Sequence, residues 1–237
     1  MISPTVTPAA GITRYQHDYT QGPACAISCG AGTTHRNYFV EVAGRQGQVH
    51  GAQLDCLQKL GAYFNNKRLA LWTMQNGYAL VTSEGLKMID AHLAGLSAGT
   101  WEELKGLLEV GVQWNTQVTV MEEGHLLSQI YCSALPVAYS HVEAERWKRF
   151  ATFILEATYE ATLLTGLRNY RMTGNRLVYL TLVGGGAFGN LDEWIYEAIV
   201  KVLRRYSHCG LRLKFVSYGA SNPVVQKVLR QYATDIC

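Results

Sequence analysis

The stretch LVGGGAFGN at residues 182–190 joins two apolar segments in the last third of the chain. Before it, Arg176–Val183 has the β-branched and aromatic content of a strand. After it, Asn190 is a favoured N-cap residue and Glu193 occupies the reciprocal capping position, which predicts a helix from Leu191 to Tyr206. This region is therefore expected to form a strand, a glycine loop and a helix in succession.

The same alternation continues to the end of the chain. Leu211–Tyr218 predicts another strand, and Asn222 followed by Pro223 predicts the cap and first turn of a final helix that ends near Tyr232. Strands and helices that alternate at this spacing form right-handed parallel crossovers with helices on both faces of a sheet. We therefore expect an α/β fold.

The first two thirds of the chain are less regular. Ala24–Cys29 is typical of a buried strand that enters a first glycine loop, Gly30-Ala31-Gly32-Thr33. Ser83 is expected to cap one helix, and Thr100 with Glu103 forms a capping box that opens another. Helices are expected at 52–64, 83–96, 100–110 and 142–167, and strands at 112–120 and 126–137. We find no internal repeat and no dividing linker, and expect one domain over residues 1–237 with a flexible arm at 1–21.

The composition excludes several classes of protein. Of the 237 residues, 48% are hydrophobic and 16% are charged, which is enough apolar surface for a core and excludes global disorder. The net charge of +3 and the scattered Lys and Arg residues argue against a nucleic-acid binder. No segment approaches the roughly 18 apolar residues of a membrane span, and residues 1–21 lack a Sec-type signal. We expect a soluble, cytoplasmic monomer without nucleic-acid or membrane partners.

The cysteines do not indicate a disulfide framework or a metal site. The six of them, at positions 25, 29, 56, 132, 209 and 237, form no CxxC pair, and several lie in apolar runs, as reduced and buried thiols do. Cys25, Cys29, His35 and His50 match no zinc-ligand spacing. We therefore expect neither a metal nor another cofactor.

The glycine loop at 184–190 is suited to a diphosphate. Glycines let the backbone approach an anion closely, and the start of the following helix directs free N–H groups towards it. Phe188 would then cover a sugar or a base. The alternative is a glycine turn that serves only the tight packing of a strand against a helix.

A nicotinamide oxidoreductase is a second class suggested by the loop, because Gly184, Gly186 and Gly189 satisfy G-x-G-x-x-G. That fingerprint needs an acidic residue at the end of the next strand, about 20 residues further on. No Asp or Glu lies between Glu197 and Asp235, and too little chain follows the loop for a second half of the fold. The redox interpretation therefore fails.

Four stretches of the chain form a recognisable composite. They are GAGT at 30–33 with RNYF at 36–39, QLDCL at 53–57, IYCSALPV at 130–137 and LVGGGAFGN at 182–190. In this order they resemble the first glycine loop, the Gln-acid-acid helix signature, the Tyr-Ser-Pro-x-Val-x-Val strand and the Gly-Cys-Gly-x-Phe-Gly-Asn diphosphate loop of the poly(ADP-ribose) glycohydrolase-like branch of macrodomains. The resemblance covers roughly residues 24–219, and within the branch it is nearest to bacterial effectors of the MavL type, which remove ADP-ribose from ubiquitin.

The resemblance implies a three-layer macrodomain-like fold with a mixed, mostly parallel sheet flanked by helices. It implies a hydrolase that removes mono-ADP-ribose from a modified protein, such as ubiquitin, by attack of water at the anomeric carbon of the distal ribose. It also implies that residues 67–123, which have no counterpart in the branch, are a helical insertion. Secretion into a host cell as an effector is then an alternative to action in the producing cell.

The chain departs from this branch where the chemistry would occur. The usual pair of glutamates is Leu54-Asp55 here, and the first loop keeps only Gly30 and Gly32 of three glycines. Cleavage of poly(ADP-ribose) chains is therefore not expected, whereas recognition of mono-ADP-ribose is. A carboxylate beside the ribose can hold its hydroxyls, activate water or protonate the leaving atom. The residues themselves also allow a plain i,i+4 ion pair of Asp55 with Lys59.

The resemblance assigns Asp55 and Gln53 as the catalytic candidates. The candidates for binding ADP-ribose are Gly30, Gly32, Thr33, Asn37, Gly184, Gly185, Gly186, Ala187, Phe188, Gly189, Asn190, Tyr218 and Asn222. Tyr218 and Asn222 follow the last strand, where ligands bind in open parallel sheets, although Asn222 is equally explained as a helix cap. Two alternatives to the hydrolase stay open: a non-catalytic reader of ADP-ribose or of an NAD-derived signal, and an α/β structural module that binds no nucleotide.

Overall fold

The computed structural model describes residues 29–49, 51–75, 77–120, 124–217 and 219–234. The chain divides into two compact units that are each built from several segments. The smaller unit comprises the described residues within 1–56, 74–78 and 111–131, and the larger unit comprises those within 57–73, 79–110 and 132–237. The expected single domain over 1–237 stays a prediction, and the arm at 1–21 lies outside the described residues.

The smaller unit begins with a helix where the sequence predicts a glycine loop. Helix α1, Gly30–Thr34, continues into a π-helical turn, His35–Phe39. A Cβ on Gly32 would collide with Gln129 Oε1 and would lie 2.6 Å from the Tyr131 hydroxyl. The loop prediction is wrong because this glycine allows close packing inside a helix. The strand expected at 24–29 falls almost entirely outside the described residues.

The smaller unit also contains two antiparallel strand pairs. Strand β1, Glu41–Val42, pairs with β2, Arg45–Gln46. Strand β5, Gly111–Gln117, pairs with β6, Leu126–Tyr131, so that Gly111 lies opposite Tyr131. The strand expected to reach residue 137 ends at Tyr131.

Helices dominate the larger unit. In chain order they are α2 (Gln58–Tyr63), α3 (Asn66–Leu69), α4 (Ser83–Ala94), α5 (Ala98–Lys105), α6 (Lys148–Thr173), α7 (Asp192–Arg205) and α8 (Pro223–Thr234). Single 3-10 turns occupy Val137–Tyr139, Ala144–Trp147 and Gly186–Phe188. Residues 67–123 hold strands as well as helices, since strand β3, Trp72–Gln75, pairs with β4, Tyr78–Val81. Residues 74–78 of this pair count with the smaller unit.

The predicted parallel crossover near the C-terminus is confirmed. Strand β7, Leu177–Leu180, pairs in parallel with β8, Arg212–Phe215, and α7 connects them. The chain is therefore a mixed α/β protein, as expected. The described strands form only two-stranded sheets, and β1–β2 and β5–β6 are antiparallel, so a continuous and mostly parallel sheet is not found in the described ranges.

Several predicted helix boundaries are wrong for local reasons. Thr82 caps α4 by accepting a hydrogen bond from Gly85 N at 2.9 Å, and Ser97 caps α5 by accepting one from Thr100 N at 3.1 Å. Thr82 lies one residue before the predicted cap Ser83, and Ser97 lies three residues before the predicted cap Thr100. Both have the extended backbone in which a cap side chain can accept from the first turn of the helix. Helix α6 ends at Thr173, later than the sequence predicts, because Gly174 adopts a left-handed conformation as its C-cap.

Helix α6 is the centre of the core in the larger unit. Its buried face includes Phe150, Phe153, Ile154, Leu155 and Leu163, each at most 2% exposed. Burial of such side chains contributes roughly 1.5–3 kcal/mol each before conformational entropy is subtracted. None of the helices in the part of the chain that the structure covers is long and apolar enough to cross a membrane.

Gly166 tests the packing of α6 against β7. A Cβ at this position would lie 2.6 Å from Val178 Cγ2, so we expect Gly166→Ala to lower the free energy of unfolding by about 1–2 kcal/mol, because overpacking outweighs the gain in helix propensity. Gly99→Ala in α5 is the matched control, since its Cβ would meet only Ser97 Oγ at 3.9 Å. Urea unfolding followed by circular dichroism measures both variants, and equal effects would contradict the packing argument.

Candidate functional site

The glycine loop follows β7 and leads into α7. Gly184, Gly186 and Gly189 have φ angles of 86°, 66° and 69°, which side chains with a Cβ rarely adopt. Between them, Gly186–Phe188 forms a single 3-10 turn. The loop therefore requires glycine at three positions for conformational reasons.

Two of these glycines also serve close packing. A Cβ on Gly184 would collide with the Cβ of Ala134, and one on Gly189 would lie 2.7 Å from the Cβ of Ala138. A Cβ on Gly186, in contrast, would meet no atom within 4 Å. The packing interpretation thus holds for Gly184 and Gly189, while Gly186 faces open space.

Asn190 anchors the loop and does not cap the helix. Its side chain is buried, and Nδ2 donates to the carbonyl oxygens of Leu135 at 2.8 Å and Gly184 at 3.1 Å. The N-cap of α7 is Leu191, which makes no side-chain cap bond. The predicted capping role of Asn190 is wrong because its amide joins the loop to the segment before the 3-10 turn at 137–139.

The loop contains backbone N–H groups that are unpaired within the described part of the chain. The N–H groups of Gly185, Gly189 and Asn190 donate to carbonyls within the loop or just before it. For the N–H groups of Gly186 and Ala187, no described residue supplies an acceptor. Two successive free N–H groups in a glycine turn form a concavity that suits an anion.

The start of α7 is less suited to an anion than the sequence predicts. Asp192 and Glu193 occupy its first turn, and both are exposed. Carboxylates at a helix N-terminus neutralise the partial positive charge of that end. An anion at this loop would therefore be held by the loop N–H groups more than by the helix dipole.

Tyr159 of α6 fixes the entrance of the loop. Its hydroxyl donates to the carbonyl of Thr181 at 3.0 Å and accepts from the N–H of Val183 at 3.0 Å. Burial raises the pKa of Tyr159 well above its ordinary value, so the hydroxyl stays protonated and keeps donating. Sequence reasoning missed this residue, because a tyrosine on a buried helix face gives no signal of its own.

An aromatic pair lies beside the loop. The rings of Phe188 and Tyr139 meet edge to face, with centroids 5.8 Å apart and planes at 89°. Tyr139 is 47% exposed, whereas Phe188 is half-buried. Sequence reasoning named Phe188 as a cover for a sugar or base and missed Tyr139, which lies far away in the chain.

The catalytic candidates lie in an irregular segment of the smaller unit. Gln53 and Asp55 are half-buried and precede α2 by several residues, so the helix expected from residue 52 is wrong at its start. The neighbouring Leu54 N–H donates to Gln48 Oε1 at 3.0 Å, and Gln48 is fully buried. Lys59, considered as a partner of Asp55, forms an ion pair with Glu109 at 2.9 Å.

The other predicted binding residues are divided between the two units. Gly30, Gly32, Thr33 and Asn37 belong to the smaller unit, together with Gln53 and Asp55; Gly184, Gly185, Gly186, Ala187, Phe188, Gly189, Asn190 and Asn222 belong to the larger. Asn37 is fully buried, and its Nδ2 has no hydrogen-bond partner among the described residues. Asn222 Oδ1 accepts from Val224 N at 2.8 Å, which confirms the capping interpretation. Tyr218 lies outside the described residues.

Metal ligands are not grouped in the described ranges, where no three His, Cys, Asp or Glu side chains come together. No protein-family model, curated protein or solved structure matches the chain. The residues and the geometry of each unit are therefore the basis for a proposed function.

The anchoring role of Asn190 predicts a large loss of stability on substitution. We expect Asn190→Ala to lower the free energy of unfolding by about 2 kcal/mol, because the carbonyl of Leu135 loses its donor in a buried setting. Asn222→Ala, which removes an ordinary helix cap, should cost about 1 kcal/mol. Guanidinium unfolding measures both, and an Asn190→Ala effect no greater than that of Asn222→Ala would contradict the anchor.

Proposed function

We propose that the chain is a macrodomain-like ADP-ribosylhydrolase, with the three-layer fold of that class, which removes mono-ADP-ribose from a modified protein. The observation that carries the proposal is the loop at 184–190, in which Gly186 faces open space and the N–H groups of Gly186 and Ala187 have no acceptor in the described part. Backbone donors of this kind bind phosphate oxygens without further charge.

The position of the loop in the fold and the aromatic pair beside it support the same proposal. The loop follows a parallel strand, β7, at its carboxyl end, which is where open α/β sheets bind their ligands. Phe188 with the exposed Tyr139 supplies an aromatic surface for a sugar or base beside the diphosphate. The resemblance to the glycohydrolase-like macrodomains adds ADP-ribose as the ligand and ubiquitin as a candidate carrier.

Asp55 is the proposed catalytic carboxylate, on the strength of the resemblance. It would activate the attacking water or protonate the leaving atom at the anomeric carbon of the distal ribose. Gln53 would orient the ribose hydroxyls through its amide. No metal or redox cofactor enters this mechanism.

A non-catalytic reader of ADP-ribose is the second candidate function. The observation that favours it is the departure at Leu54-Asp55, which leaves one carboxylate where the resembled branch has two. A reader would use the same loop at 184–190 and release the ligand unchanged.

The charge of the ligand is tested at Ala187, an exposed residue of the loop. We expect the wild type to bind ADP-ribose and Ala187→Glu to weaken binding at least about tenfold more than Ala187→Gln, since a negative charge about 5 Å from a phosphate costs about 1–3 kcal/mol. The two variants match in size and differ in charge. Isothermal calorimetry measures the affinities. Absence of ADP-ribose binding by the wild type at millimolar concentration would reject both the hydrolase and the reader.

Asp55→Asn separates the hydrolase from the reader. We expect this variant to release ADP-ribose from modified ubiquitin at least about a hundredfold more slowly, because an amide cannot exchange a proton with water or the leaving atom, while its affinity for ADP-ribose stays within about twofold. Glu41→Gln, an exposed carboxylate of the same unit, is the control. Chromatography of released ADP-ribose measures the rate. A wild type that binds but releases none is a reader, and a fully active Asp55→Asn removes Asp55 from the mechanism.

A further inference from the structure

Four helices of the larger unit line an open cavity of about 1060 Å³. Leu86 of α4, Trp101 of α5, Glu156 of α6 and Lys201 of α7 contribute to its wall, and no residue of the glycine loop does. A concave space of this size, with an aromatic side chain and a few converging polar groups, is typical of a small-molecule site.

Glu156 is the buried charge in this wall, with a side chain only 4% exposed. Its Oε2 accepts hydrogen bonds from Trp101 Nε1 at 2.9 Å and Lys201 Nζ at 2.7 Å, and Lys105 Nζ lies 3.9 Å away. No described residue donates to Oε1. Since an ionised carboxylate has about four acceptor sites, Glu156 keeps acceptor capacity that the protein does not use.

Lys201 shows which chemical group this part of the wall accepts. Its ammonium lies 2.7 Å from Glu156 Oε2 and 5.2 Å from the centre of the Trp101 ring. A buried carboxylate and the face of an indole are the two features that attract an organic ammonium. The side chain of Lys201 is 50% exposed, so it can move into solvent without disturbing the core. The chain's own ammonium therefore occupies a cation site.

The other charged residues of the wall are of both signs: Lys87, Asp90, Glu102, Glu145, Arg146, Lys148, Arg149 and Glu197. Lys87 pairs with Glu84, and Glu102 pairs with Lys105. Asp90 pairs with Arg149. Within the described part of the chain, Glu145 and Glu197 on the wall form no ion pair, and both are exposed. Glu197 lies one helical turn before Lys201 on α7, so it is on the same face of that helix.

We propose that this cavity binds a small aliphatic diamine. One ammonium replaces Lys201 Nζ between Glu156 and Trp101, and the other pairs with a carboxylate of the wall such as Glu197. Lys201 lowers the apparent affinity of the wild type, because the ligand binds only when the lysine has moved away. This site is separate from the glycine loop and does not depend on the proposed function.

Cadaverine is the probe for the site, and 1,5-pentanediol is its uncharged counterpart of equal length. We expect Lys201→Met to bind cadaverine about tenfold more tightly than the wild type, because a charge-assisted hydrogen bond no longer competes. Pentanediol should bind to neither. Calorimetry at low ionic strength measures the affinities.

Lys148→Met is the matched control, because Lys148 lines the same cavity and forms no ion pair in the described ranges. It should leave the cadaverine affinity within about twofold of wild type. Glu156→Gln by itself would leave Lys105 and Lys201 beside a neutral amide. The carboxylate is therefore tested in the double variant Lys201→Met with Glu156→Gln, which should lose the tighter cadaverine binding of Lys201→Met. The proposal is overturned if Lys148→Met gains as much as Lys201→Met, if the double variant keeps the gain, if pentanediol binds equally, or if Lys201→Met does not bind cadaverine at millimolar concentration.

Discussion

The burial of α6 is the constraint on which the larger unit depends. A helix of 26 residues whose inner face carries Phe150, Phe153 and Leu155 also takes polar side chains inside, among them Tyr159 and Glu156, whose hydrogen bonds the structure describes. Two of these buried polar groups lie at the glycine loop and at the cavity. The hydroxyl of Tyr159 holds the chain at Thr181 and Val183, where the glycine loop begins, and the carboxylate of Glu156 forms part of the cavity wall. The core thus positions both candidate sites through single buried polar atoms.

The charges around α6 follow from the same constraint. Lys105 is as buried as Glu156 and lies 2.8 Å from Glu102 and 2.6 Å from Glu160. Tyr206 donates to Glu160 at 2.6 Å, and burial together with this carboxylate raises the pKa of Tyr206 to about 12. Removing one member of such a cluster leaves a buried charge uncompensated, which costs more than the pair contributes. Lys105 lies closer to Glu102 and Glu160 than to Glu156, which is 3.9 Å away, so Glu156 keeps acceptor capacity towards the cavity.

The glycine loop combines close packing of two glycines with unpaired N–H groups at a third, and these features are often treated as alternatives. Gly184 and Gly189 are needed for close packing against Ala134 and Ala138. Gly186 has open space in front of it, and its N–H group and that of Ala187 have no acceptor among the described residues. Packing of the outer glycines stabilises the shape of the loop. Asn190 stabilises it further, because its Nδ2 donates to the carbonyls of Leu135 and Gly184. A turn held in shape by packing loses little entropy when an anion binds, so the packing role is compatible with the proposed binding role.

Local patterns in the sequence determined the elements whose hydrogen bonds are near in the chain. The parallel crossover at residues 176–215, helix α7 within one residue at each end, and the cap at Asn222 all follow from side-chain periodicity and capping chemistry. Only the tertiary structure decided that Gly30–Thr34 is a helix, that Asn190 anchors a distant carbonyl, and that Tyr159, Tyr139 and Glu156 belong to candidate sites. Each of these outcomes depends on contacts between residues far apart in sequence, such as the 55 positions that separate Asn190 from Leu135. Periodicity carries no information about such contacts, because it records only which face of an element is buried and not what that face meets.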